Sequence, residues 1–143
     1  MAPIAKRLLL TAMASACLAG CANVRQAANS PCHDTTVTLY FETGSETLTD
    51  AGQQIVTLTA KRLVSCHVRE LKLVGLADPA GQAATNLTLS QHRADGVLEA
   101  FVKAGLPVPK YTLVAAGQKG AVTASGAIEP VRRQVDVTVV VDH

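Results

Sequence analysis

The mature part of this chain carries no net charge. Lys6 and Arg7 belong to the N-terminal leader, and from Cys21 onward 11 basic residues face 11 acidic ones. That balance argues against a nucleic-acid partner gripped through its phosphates. It also argues against attachment to a membrane by a polybasic surface. Long apolar runs are missing too. The longest, Leu8 to Leu18, falls well short of the roughly 20 residues a spanning helix needs. There is no internal repeat and no low-complexity block, so the 143 residues suit one domain with a real core. No Gly-x-Ser-x-Gly elbow presents a nucleophile. Ser125, in Ala-Ser-Gly, reads as a loop serine, and His92 falls on the exposed side of a helix. An enzyme is therefore not expected, nor is a cofactor.

What is present begins with a leader. MAPIAKRLLLTAMASACLAGC joins a positive region to an apolar core and then to Leu18-Ala19-Gly20-Cys21. The last four residues resemble a bacterial lipobox, whose cysteine is lipidated and becomes the first mature residue. The alternative is an ordinary cleaved signal near Ala14-Ser15-Ala16. Cys17 fits lipidation less well, because Ala14 stands where lipoboxes carry leucine. Lipidation at Cys21 would anchor the chain to a membrane without spanning it. Ala22, which follows, implies by resemblance the outer membrane, with the domain facing the periplasm. Residues 1–20 then form the signal, 21–34 the lipidated N-terminus and a short tether, and 35–143 the domain.

Two further cysteines lie in the domain region, Cys32 and Cys66. Export implies an oxidising compartment, so a disulfide is expected. Each is followed by a histidine, His33 and His67, which leaves a Cys₂His₂ metal site as the alternative. No known zinc module has that spacing, and no metal is expected.

The segment TTVTLYF alternates, with Val37, Leu39 and Phe41 on one side, and predicts a strand. Thr49 predicts the N-cap of a helix over Asp50 to Val64, with Ile55, Leu58 and Leu63 as its buried stripe. HVRELKLVG predicts a second strand and LADPAGQ a loop. A second helix runs from about Asn86 to Gly105, followed by Pro107. KYTLVAAG predicts a third strand. QKGAVTASGAIEP predicts a glycine-rich loop. RQVDVTVVV predicts a last strand with Val135, Val137, Val139 and Val141 inward. The order β-α-β-α-β-β, with right-handed crossovers, predicts an α/β two-layer sandwich of the α+β type. Its sheet is mixed and both helices lie on one face. In that topology the start of the first strand and the end of the first helix share one end of the domain, so a Cys32–Cys66 bridge is geometrically reasonable.

The second helix poses a question. In NLTLSQHRADGVLEAF, Asn86, Ser90 and Arg93 return to one face. Ala94, Val97, Leu98 and Phe101 form the apolar stripe beside them. The loop before the helix carries Asp78, the only acid between Glu70 and Asp95. A polar row ending in arginine thus lies near an aspartate, and both are expected at a loop–helix edge outside the apolar core.

Asn86, Leu89, Ser90, Arg93, Ala94, Val97 and Phe101 match in spacing the signature of the OmpA-like C-terminal domain family, and the segment resembles it. Gly75-Leu76-Ala77-Asp78-Pro79-Ala80-Gly81 is similar to the family's Gly-His-Thr-Asp-x-x-Gly loop. Phe41-Glu42-Thr43-Gly44-Ser45 resembles its first strand and turn, and Arg132-Arg133-Gln134-Val135-Asp136 its Asn-Arg-Arg-Val-Glu ending. The resemblance covers about residues 35 to 141. It implies non-covalent binding of peptidoglycan through the diaminopimelate of the stem peptide, tethering the outer membrane to the cell wall. It assigns the ligand's ammonium to Asp78 and its carboxylate to Arg93. Asn86 would support them, with a further contact from Arg132 or Arg133. Three departures stand out: Leu76 and Ala77 replace the family's His and Thr, Gln134 replaces an arginine, and Thr85 replaces the usual tyrosine. The alternative reading is a protein-interaction module of an envelope complex. A purely structural reading has Asp78 and Arg93 pairing with each other.

Overall fold

The computed structural model describes residues 32–79, 81–119 and 132–142. The leader, Cys21, the tether up to residue 31, Ser125 and the rest of the 120–131 connection lie outside the described residues. The elements are β1 (Thr35–Tyr40), α1 (Asp50–Leu63), β2 (Val68–Leu76), α2 (Ala83–Lys103), β3 (Tyr111–Gly117) and β4 (Gln134–Val141). The element order and the mixed α+β architecture are those the sequence predicts.

The four strands form one sheet in the order β1-β4-β2-β3. β4 runs antiparallel to both β1 and β2, and β2 pairs in parallel with β3. β1, β2 and β3 therefore all point the same way. Their C-terminal ends and the start of β4 share one pole, called the loop pole. The opposite end, called the base pole, gathers the start of β1, the ends of both helices and the end of β4.

Alternation decides which face of the sheet is buried. Val135, Val137, Val139 and Val141 of β4 are all buried, as are Leu71 and Leu73 of β2 and Leu39 of β1. The helices cover them with Val56, Ala60 and Leu63 from α1 and Ala94, Val97 and Phe101 from α2. Thr49 caps α1 as expected, its hydroxyl accepting the Gly52 N–H at 3.1 Å. α2 ends at Gly105, which takes a positive φ of 86° that a side chain would strain.

The buried stripe of α1 is a correction. Ile55 and Leu58 are exposed, and the inward face is Gly52, Val56, Thr59, Ala60 and Leu63. These follow the spacing i, i+4, i+7, i+8, i+11, a true helical face. Ile55 and Leu58 lie well around the helix from Leu63. Choosing the large apolar residues over the small ones put the stripe on the wrong side.

Gly75 sets how closely α2 approaches the sheet. A Cβ there would overlap the carbonyl oxygen of Ser90 and press on Ala94. Gly75→Ala must push the helix outward, and it should lower stability by about 1–3 kcal/mol in urea unfolding. The opposing pole is held covalently. Cys32 and Cys66 are bonded to each other, with Cα atoms 5.4 Å apart, so their sulfurs are not metal ligands. The bridge spans a sequence separation of 34. The chain-entropy account gives about 3–4 kcal/mol for a loop of that size. Replacing both cysteines by serine should lower stability by up to that amount. Mass spectrometry of the unreduced protein should read about two hydrogens below the reduced form.

Candidate ligand-binding site at the loop pole

Each polar residue on the α2 face reaches a different segment of the loop pole. Asn86, nearest the helix N-terminus, donates from Nδ2 to the carbonyl of Asp78 at 2.9 Å and to Oε1 of Gln118 at 3.2 Å. Ser90 is fully buried; its hydroxyl donates to the Leu87 carbonyl and accepts the Gly117 N–H at 3.0 Å. Arg93 donates from Nε to the Ser45 carbonyl at 2.8 Å. Its two Nη atoms donate to Leu76 at 3.2 Å and to Glu42 at 3.3 Å, both backbone carbonyls. The row therefore ties together the loop after β1, the end of β2, the loop before α2 and the end of β3.

Arg93 is not at an edge. Its side chain has no solvent exposure, and it is the largest fully buried residue described. The guanidinium carbon lies 5.0 Å from the centre of the Phe41 ring, close enough for a cation–π contribution. Burial pushes its pKa down from the ordinary value. The charge of Asp78 opposes that shift and Arg133 adds to it. A buried cation is costly unless hydrogen bonds compensate it, and here three carbonyls do so. The expectation that Arg93 stands outside the core is thus corrected. The interior of this fold accommodates a charge because carbonyls of the loop after β1 and the end of β2 converge on it.

Asp78 looks the other way. Its side chain is 19% exposed, and its ion pair is with Arg133, 3.6 Å from Oδ2, rather than with Arg93. Its Oδ1 accepts the backbone N–H of Arg132 at 2.9 Å. Arg132 reaches from Nη1 to the Lys119 carbonyl at 3.2 Å. Arg133, 31% exposed, donates to the hydroxyl of Thr43 at 2.6 Å. Its Nε is buried and has no acceptor. Asp78, Asn86, Arg93, Arg132 and Arg133, separated widely in sequence, thus meet at one pole.

Sequence reading missed Gln118, Thr43 and Gly117. Gly117 has a positive φ of 54°, and a Cβ there would crowd the backbone of Leu87. The Gly-Gln pair closing a strand was the available signal for this contact. The carbonyls of Glu42, Leu76 and Ser45 had no signal, since a backbone acceptor is blind to side-chain identity. The departures from the family loop also find their places. Leu76 and Ala77 are buried, and the Ala77 N–H donates to the Gly117 carbonyl at 2.8 Å.

Burial separates the two charged residues in their effect on stability. Arg93→Ala leaves three loop carbonyls and a cavity, and it should cost about 3–5 kcal/mol. Arg93→Lys should recover only part of this, because one ammonium cannot span the three acceptors. Asp78→Ala should change stability by about 1 kcal/mol or less. Urea denaturation of the three variants checks the order.

Comparison with known proteins identifies the family and the fold. Residues 40–134 match the OmpA family. Outer membrane protein A of Yersinia pseudotuberculosis is 40% identical over 74 residues, half of this chain and 21% of that protein. The chain therefore corresponds to about a fifth of that relative's length. Among solved structures, the OmpA-like domain of FopA1 from Francisella tularensis superposes with a TM-score of 0.63 at 16% identity, covering 77% of each chain. The peptidoglycan-associated lipoprotein of Burkholderia pseudomallei gives 0.57 at 23% identity, over 73% of this chain and 89% of the other. The cell wall anchor of the type VI secretion system (T6SS) from Pseudomonas aeruginosa gives 0.57 at 21%, over 76% and 82%. At these identities the structures speak for the fold alone. Because the match of residues 40–134 takes in both helices, β2 and β3, and more than half of the chain, the chain belongs to the OmpA family.

Proposed function

We propose that the loop pole binds peptidoglycan non-covalently, through the diaminopimelate of a stem peptide, and so holds the outer membrane to the cell wall. The observation that carries this reading is the pairing of Asp78 with Arg133, an acid and a guanidinium 3.6 Å apart and both partly exposed. A zwitterionic ligand needs that combination: a carboxylate for its ammonium and a fork for its carboxylate. The exposed part of the Arg133 guanidinium is what a ligand carboxylate would meet, while its buried Nε lies out of a ligand's reach. The resemblance assigns the ligand carboxylate to Arg93. Its burial gives Arg93 the task of holding the cradle, with Arg133 as the exposed guanidinium beside it. Asn86 fixes the Asp78 loop through its backbone carbonyl. The relatives' names support the setting: one is an outer membrane protein, one a peptidoglycan-associated lipoprotein and one a cell wall anchor.

The chemistry in this reading is recognition alone, without a catalytic step. Charge-assisted hydrogen bonds contribute about 1.5–3 kcal/mol each, so one site binds modestly. The repeating polymer raises retention through effective concentration. Lipidation at Cys21 supplies the other end of the tether. Its eleven steps to Cys32 span at most about 36–40 Å extended and nearer 20 Å as a coil. That is short enough to hold membrane and wall close together.

Co-sedimentation with purified sacculi tests the reading. Asp78→Ala and Arg133→Ala should each weaken binding about ten- to hundredfold while circular dichroism stays unchanged. Asn86→Ala should weaken it less. Near-normal binding by both charge variants would remove the site. If even the wild type fails to sediment and a protein is crosslinked in cells, the interaction-module reading replaces this one.

A further inference from the structure

The balanced charge of the chain is unevenly distributed. At the base pole, Lys61 and Arg62 close α1 and Lys103 closes α2. Arg69 begins β2, and Lys110 directly precedes β3. Three acids at this end are already engaged, and a fourth, Glu99, is exposed one turn before Lys103 on α2. Asp34 accepts the Val141 N–H, Glu70 accepts from the Thr112 hydroxyl and lies 3.7 Å from Lys110, and Asp142 lies 4.0 Å from Arg69. Lys61, Arg62 and Lys103 are exposed and take part in no ion pair among the described residues, although Arg62 donates from Nη2 to the Thr35 hydroxyl at 3.0 Å.

Exposed apolar side chains accompany them. Val64, just past α1, is 52% exposed; Val102 near the end of α2 and Tyr111 at the start of β3 are each 56% exposed. Cations in the last turn of a helix also complement its dipole, which accounts for the three singly. It does not account for two valines and a tyrosine beside them. Aliphatic groups, an amphipathic aromatic ring and unpaired cations at one pole are what a membrane interface selects. The chain that leaves this pole names the occupant. Cys32 is bonded to Cys66 here, and Cys21 lies only eleven residues upstream.

We propose that the base pole docks on an anionic phospholipid surface, with Lys61, Arg62 and Lys103 at the headgroup phosphates and Val64, Val102 and Tyr111 at interface depth. Its cellular setting rests on the reading of Cys21 as lipidated. Docking orients the domain, so that Asp78 and Arg133 at the opposite pole face away from the membrane. Zero net charge argued against a polybasic surface. Segregation restores a local one that a sum over the chain hides.

The test uses the chain from Ala22 onward, without a lipid, since Pro31–His143 forms one compact unit with its own core. Flotation would compare vesicles of phosphatidylethanolamine and phosphatidylglycerol with vesicles of phosphatidylcholine. Three unpaired cations should favour the anionic vesicles about a hundredfold, and added salt should reduce the ratio. The combined variant Lys61→Glu, Arg62→Glu, Lys103→Glu should lose the preference and keep its binding to sacculi. The chain has no tryptophan, so Tyr111→Trp provides a reporter and Tyr40→Trp, at the other end of the sheet, its control. Emission from Tyr111→Trp should shift to the blue on anionic vesicles, and that from Tyr40→Trp should not. Equal partition on both vesicle types, full retention by the reversed variant, or equal shifts at both positions would each overturn the proposal. Sacculus binding is read separately, so failure here leaves the wall-binding reading untouched.

Discussion

The buried guanidinium of Arg93 organises the loop pole. The loop after β1 and the end of β2 bring backbone carbonyls together there. Glu42, Ser45 and Leu76 all turn theirs toward one point in the interior. The Arg93 side chain supplies donors to all three, and the Glu42 carbonyl also accepts the Ser45 N–H at 3.1 Å. Arginine offers a planar fork whose nitrogens diverge to three acceptors, which no other side chain can do. Phe41 covers one face of the fork, and Asp78 supplies counter-charge from nearby. Asn86 and Ser90 extend the same logic by one turn each. Three side chains on one face of α2 thereby hold the end of β2, the loop that carries Asp78 and the end of β3.

The sequence made the fold legible because its signals were periodic. Alternation in β4 and β1, the Thr49 cap and the glycine stop at Gly105 each have a local physical cause, and each appears where expected. α1 was less legible because its inward face is built from Gly52, Thr59 and Ala60, residues that hydropathy alone does not mark. At the site, the residues were identifiable and their depth was not. Spacing places Asn86, Ser90 and Arg93 on one face, but burial depends on which loops fold over that face. The Asp78–Arg133 pair joins residues far apart in the chain, and only the return of β4 beside β2 brings them together.

The topology also separates tasks. Every strand-end loop that builds the site lies at one pole, while the disulfide, both helix C-termini and the origin of the tether lie at the other. Such a layout suits a protein held at one end and binding at the other. It also explains why whole-chain charge was a poor guide. Asp34, Glu70 and Asp142 at the base pole are tied to neighbours, while Lys61 and Lys103 there enter no ion pair among the described residues.

The loop before Asp78 shows how this chain differs from the usual pattern of its family. Leu76 and Ala77 stand where the pattern has histidine and threonine, and both point inward. The Ala77 N–H bonds to the Gly117 carbonyl, so at that residue the loop is tied to β3 through its backbone and needs no side-chain hydroxyl. Asp78 is then the first residue after β2 that offers a polar side chain to the outside. Recognition falls on charged groups, with little help from a neutral hydroxyl or imidazole at those two positions. Charge attraction at partly exposed groups weakens as salt screens it, whereas neutral hydrogen bonds are much less affected. On the proposed reading, a site built in this way would rely on electrostatic contacts more than neutral ones, and its hold on a zwitterion would rest on how firmly Arg93 and Asn86 hold the end of β2 and the loop that carries Asp78.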